Sequence, residues 1–126
     1  MRVQFLMSAL ALVPAAVSAQ QASAPVSPWN TIVVAQVERC WTPPVSIQGG
    51  KGVRVSLEVL VSRNGVPQAI QVVDQQRYSS DSFFRAASDG AVRAFRNPLC
   101  QPLRLPADRF AEWQHLFITL DTQDLL

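Results

Sequence analysis

The chain is poor in the residues from which most active sites are made. Its 126 residues include one histidine (His115), one lysine (Lys51) and two cysteines (Cys40 and Cys100). A lone histidine beside two cysteines that are expected to bond each other falls short of the usual ligand count of a metal site. As a general base, His115 would need an oriented nucleophile, and no local motif supplies one. No run of like charge exceeds two residues, and the formal net charge is only +2. A balance this close gives no long-range field for nucleic acid or an anionic membrane surface. Long apolar runs are also missing. The one candidate, Val3 to Val17, is interrupted by Gln4, Ser8 and Pro14, and it is shorter than the roughly 20 residues a spanning helix needs.

That short apolar run reads as a signal peptide over residues 1–19. Arg2 supplies the positive charge, and Val17-Ser18-Ala19 places small residues where a signal peptidase reads. The expected address is the periplasm of a Gram-negative envelope. An uncleaved signal anchor is the alternative, and it would be the chain's only membrane contact. Residues 20–27 form a polar leader, expected to be flexible, and residues 28–126 form one small domain. A domain of this size buries only about 60–65 % of its unfolded surface and benefits from a staple. Two cysteines in an exported chain read as a disulfide with one possible pairing, Cys40 to Cys100. Their spacing excludes a CxxC redox pair. Two buried free thiols would be the alternative if the chain stayed in a reducing compartment.

Ser27-Pro28 looks like an N-cap followed by proline at the first helical position. Trp29, Ile32, Val33, Val37 and Cys40 then recur at helical spacing, and Pro43-Pro44 ends the helix. Val53, Val55, Leu57, Val59 and Val61 alternate with polar residues as in a half-buried strand, with Leu60 as the exception. Asn64-Gly65 is a strong hairpin signal. Taken as a two-residue turn, it sets Val59 opposite Ile70 and Leu57 opposite Val72, all on one buried face. Tyr78 to Asp81 breaks the strand pattern, with Ser80 as the expected cap of a helix running to about Arg96. Phe84, Ala87, Ala91 and Phe95 form its inner face, and Gly90 marks a close contact. Leu105 to Trp113 holds a short helical turn, and His115 to Leu120 reads as a third strand. The predicted fold is α+β: a three-stranded antiparallel sheet packed by two main helices on one face, in the order α-β-β-α-(short α)-β, with one disulfide.

Other chemical motifs have simpler readings. Gly49-Gly50-Lys51-Gly52 is followed by a strand instead of a helix and lacks the Ser or Thr of a phosphate loop. Asp74 with Asp81, and Asp108 with Glu112, read as caps or solvated faces. Trp29, Trp41, Trp113, Phe84, Phe95 and Phe110 read as core. No cofactor is implied, and no enzymatic role is expected. What remains is surface for partners. A small sheet has edges with unpaired backbone groups that are either protected or used to add a strand. The third strand carries no charge between Leu116 and Leu120, so Phe117, Ile118, Thr119 and Leu120 are the candidate partner-binding edge. A central, simply hydrophobic strand is the alternative.

Several short motifs occur together in a telling order: Cys40-Trp41-Thr42-Pro43-Pro44, the Asn64-Gly65 hairpin, Val72-Val73-Asp74, Ser80 to Ala87, Cys100-Gln101-Pro102, Leu105-Pro106 and Phe110-Ala111-Glu112-Trp113. Over roughly Thr31 to Asp124 the chain resembles the C-terminal periplasmic domain of the TolA family, which is related in fold to the C-terminal domain of TonB. The resemblance implies a non-catalytic, protein-binding module of the Tol-Pal envelope system. Its partners would be TolB- or Pal-like proteins, met by strand addition at a sheet edge. It also implies that Cys40 and Cys100 are bonded. A TolA-like protein carries a long helical segment before this domain. An eight-residue leader extends less than about 30 Å, which leaves a soluble adaptor or competitor as the expected role. A membrane-tethered transducer and a small secreted inhibitor are the alternatives.

Overall fold

The computed structural model describes residues 27–43 and 52–122. The expected signal peptide, the leader up to residue 26, the loop over 44–51 and residues 123–126 lie outside the described residues. In chain order the elements are α1 (Asn30–Val37), continued by a 3-10 turn Glu38–Cys40, β1 (Arg54–Val61), β2 (Pro67–Val72), α2 (Gln75–Ser80), α3 (Ser82–Arg96), a 3-10 turn Ala107–Arg109 running into α4 (Phe110–Trp113), and β3 (His115–Asp121). The strands form one antiparallel sheet in the order β2-β1-β3. The α+β class and the disulfide are as the sequence predicts. Among the described residues no helix is long and apolar enough to cross a membrane.

The alternating pattern of β1 becomes its burial pattern. Val55, Leu57 and Val59 are fully buried and Val61 nearly so, while Leu60 is 45 % exposed on the opposite face. The expected register holds: Val59 lies opposite Ile70 and Leu57 opposite Val72. The route to it differs. Ser62 N–H donates to Val66 C=O, and Gly65 N–H donates to Ser62 C=O. The loop is therefore the three residues Arg63-Asn64-Gly65, with Gly65 at φ 84°, a turn closed by a residue in left-handed conformation. The extra loop residue would shift the pairing by one. The ladder slips once, leaving Gln68 bulged between the Leu60–Ala69 and Val61–Pro67 pairs, and this restores the register. Gly65 also touches the Leu103 segment: its carbonyl accepts from Leu103 N–H at 2.7 Å, and a Cβ there would collide with the Leu103 carbonyl oxygen.

The helices share one core with the sheet. Val33 and Val37 of α1, and Phe84, Ala87, Ala91 and Phe95 of α3, join Val55, Leu57, Val59, Leu116, Ile118 and Leu120. Ile32, expected in the α1 stripe, is 45 % exposed; the buried face is Val33, Val34 and Val37. Cys40 and Cys100 are bonded with Cα atoms 6.6 Å apart, tying the end of α1 to the segment after α3. Trp41 follows at once and is buried, with its indole N–H on the Ala87 carbonyl at 3.2 Å. A Cβ added to Gly90 would lie 3.6 Å from the Trp41 ring, so the expected close contact is present and amounts to ordinary packing.

Capping departs from the sequence reading. The pattern break before α3 is itself helical: α2 is capped by Asp74, whose carboxylate accepts from Arg77 N–H at 3.0 Å. The cap of α3 is Asp81 instead of Ser80, accepting from Phe84 N–H at 3.0 Å. That backbone donor, ahead of the side chain of Arg77, holds the Asp81 carboxyl below its ordinary value of 3.8. A depressed folded value stabilises the fold fully above the unfolded value and is lost as pH falls through the folded one. Asp81→Ala is therefore expected to lower the melting temperature at neutral pH, with a gap to the parent that narrows below about pH 4. Thermal denaturation of both proteins across this range measures it, and a gap that widens in acid would contradict the assignment.

Candidate functional site

With β1 in the middle, both β2 and β3 are edge strands. The third strand therefore lies at a margin of the sheet and not at its centre. Backbone groups alternate along an antiparallel strand between the partner and the open side. In β3 the even positions turn toward β1, and Phe117 and Thr119 turn outward.

Those outward groups do not face bare solvent. Ser27 N–H donates to the Phe117 carbonyl at 3.0 Å, and Phe117 N–H donates to Ser27 Oγ at 3.0 Å. Thr119 N–H donates to Asn30 Oδ1 at 2.8 Å. Ser27, placed by sequence at the end of a flexible leader and as a helix cap, instead lies against β3 like a one-residue fragment of a fourth strand. The cap position of α1 is taken by Trp29, which has no side-chain capping bond. The sequence-predicted edge residues also divide by face. Ile118 and Leu120 are core side chains, at most 1 % exposed. Phe117 and Thr119 are half-buried on the opposite face, where Thr119 Oγ1 and Ser56 Oγ are 3.0 Å apart. Only the backbone of this segment and the Phe117 and Thr119 side chains are placed to meet a partner.

The chain matches no family model, no curated protein and no solved structure.

The β2 edge is built differently. Val73 N–H donates to Ser56 C=O, so Gln71 and Ala69 turn toward β1, and Ile70 and Val72 turn outward. One end is blunted by Pro67 and the Gln68 bulge. The Val72 carbonyl accepts from Gln75 Nε2 at 2.6 Å. Between them the Ile70 N–H and C=O and the Val72 N–H have no partner among the described residues. The local sequence marks this edge only through Pro67, since a proline near a strand start fits an edge or a chain end better than a central position.

The other sequence candidates have structural roles. His115 Nε2 lies 2.6 Å from Glu58 Oε2 across the outer sheet face. Glu112 pairs with Arg109 at 3.5 Å on the surface. Trp41, Trp113, Phe84 and Phe95 are buried core, and Trp29 and Phe110 pack half-buried against it. Among the described residues no three His, Cys, Asp or Glu side chains are grouped as a metal site requires.

Proposed function

We propose that this chain is a periplasmic, non-catalytic protein-binding module of the Tol-Pal type. In this reading it has a TolA/TonB C-terminal-like fold and takes up an extended segment of a TolB- or Pal-like partner by strand addition at β3. The signal-like N-terminus and the disulfide support the envelope address, and the order of motifs supports the family. The observation that carries the mechanism is the β3 edge. It is free of charge from Leu116 to Leu120, and the outward amides of Phe117 and Thr119 are held by two residues of the chain's own N-terminal side, Ser27 and Asn30. An incoming strand would make the same backbone bonds and displace those two groups. Each protein–protein hydrogen bond is worth only about 0.5–1.5 kcal/mol net, so the exchange is accessible to a partner that adds further contacts.

Removing the displaced groups should favour the partner. The double variant Ser27→Ala, Asn30→Ala keeps the core and loses the Ser27 Oγ and Asn30 Oδ1 acceptors for the Phe117 and Thr119 amides. Titration calorimetry of the parent and the double variant against purified TolB and Pal is expected to show binding of at least one. The variant should bind it roughly tenfold more tightly, as the loss of about 1.4 kcal/mol of competing bonds implies. No binding by the folded parent and variant, or equal affinity of the two, would overturn strand addition at β3.

A further inference from the structure

The tip of the β1–β2 hairpin carries a reactive residue pair that the fold holds shut. We propose that Asn64 is a modification site, converted to aspartate and isoaspartate with loss of ammonia only when the hairpin tip parts from the Leu103 segment. The inference does not depend on which edge of the sheet meets a partner.

The chemistry belongs to the Asn64-Gly65 pair. The backbone nitrogen of Gly65, once deprotonated, attacks the side-chain carbonyl carbon of Asn64, Cγ. The Gly65 N–Cγ bond forms, the Cγ–Nδ2 bond breaks, and ammonia leaves with the proton that the backbone nitrogen gave up. Water then opens the five-membered imide at one of its two carbonyls. Breaking the new bond leaves aspartate. Breaking the original peptide bond leaves isoaspartate, with one methylene added to the main chain. Gly65 suits the attacking position because it has no Cβ to crowd the approach. Asn64 is exposed, so water has access to it.

In the folded chain the nucleophile is engaged. Gly65 N–H donates to Ser62 C=O at 2.9 Å, and a bonded amide gives up its proton only after that bond opens. Closing the imide ring also moves the Gly65 nitrogen onto Cγ, and Gly65 is not free to move. It is buried, and its carbonyl accepts from Leu103 N–H at 2.7 Å. Its Cα lies so close to Leu103 that a Cβ would collide with the Leu103 carbonyl oxygen.

The Leu103 segment is itself pinned on both sides. Cys100, just before it, is bonded to Cys40. Just after it, Gln36 of α1 holds both backbone groups of Arg104: Gln36 Nε2 donates to the Arg104 carbonyl at 3.0 Å, and Arg104 N–H donates to Gln36 Oε1 at 2.7 Å. A side chain of α1 thus steadies, through Arg104 and Leu103, the reactivity of a turn on the sheet. Isoaspartate would lengthen a loop whose residue count sets the register of β2, so a modified tip does not close in the same way.

The test uses the full chain and, as the open reference, the peptide acetyl-Ser-Arg-Asn-Gly-Val-Pro-amide, which copies residues 62–67. Both are kept at neutral pH and one temperature, and deamidation at Asn64 is followed by peptide-mapping mass spectrometry. Amide exchange at Gly65 is measured on the folded chain under the same conditions. Each bond that holds the tip lowers the open fraction by roughly two- to tenfold, so the folded chain is expected to deamidate about tenfold or more slowly than the peptide. The slowing should match the exchange protection of the Gly65 amide, because both reactions sample the same opening. Gln36→Ala removes both bonds to Arg104 and should speed Asn64 deamidation and Gly65 exchange together, by roughly threefold or more. Equal rates in the peptide and the folded chain would overturn the proposal, as would deamidation protected far less than Gly65 exchange. A folded Gln36→Ala variant in which neither rate moves would overturn it too. Should that variant not fold, the match between the two protections in the parent decides alone.

Discussion

Replacing both Cys40 and Cys100 with serine is expected to lower the unfolding free energy by roughly 4 kcal/mol, the chain-entropy value for a loop of this length. The two residues are 60 positions apart, and the loop they close contains β1, β2, α2 and α3. β3 is the one strand outside it. Without the link, the unfolded chain recovers the freedom of nearly the whole sheet-and-helix unit, while the folded state keeps its contacts. For a domain of this size each kcal/mol corresponds to about 4–8 °C, so the melting temperature should fall by roughly 15–30 °C. Calorimetric scans of the parent, the double serine variant and the reduced, alkylated parent would measure it. A fall of only a few degrees in both altered proteins would mean that the core holds the helices to the sheet without the staple.

Trp41→Ala is expected to cost about 3–5 kcal/mol, the range for deleting a large buried aromatic. Trp41 is 3 % exposed, packs its ring edge against Gly90, and donates its N–H to the Ala87 carbonyl. Alanine would leave a cavity between the end of the α1 segment and α3. Trp41→Phe keeps most of the packing and loses the hydrogen bond, so its cost should be nearer 1–2 kcal/mol. Urea unfolding of both variants, read as midpoint at constant slope, separates the two contributions. Equal costs for alanine and phenylalanine would assign the effect to the hydrogen bond alone. Because Trp41 adjoins Cys40, the tryptophan and disulfide effects should not be summed.

Local pattern carried a good part of this structure. The period-two burial of β1 and its pairing with β2 were readable, because a one-residue slip would turn Leu57 and Val59 to solvent. The same logic hid the true loop: one residue more in the turn and one bulged at Gln68 cancel, so the pattern is identical either way. Helix α2 was missed because Gln75-Gln76-Arg77-Tyr78-Ser79-Ser80 has no apolar stripe. Its only local signal was Asp74 at the cap position. Strand order was legible only in Pro67, which fits an edge or a chain end better than the centre of a sheet. Whether β3 is an edge depends on packing between distant segments, and the bonds that cover it join residues 90 and 89 positions apart. Ser27 and Asn30 look in sequence like the polar start of a helix, and only the folded chain brings them to Phe117 and Thr119.

Hydrogen exchange of the full chain, alone and saturated with purified TolB or Pal, tests the central claim most directly. Partner binding by strand addition predicts slowed exchange at the amides of Phe117 and Thr119, together with faster exchange at Ser27 as it is displaced. Unchanged exchange at Phe117, Thr119 and Ser27 in the presence of both proteins would contradict the account.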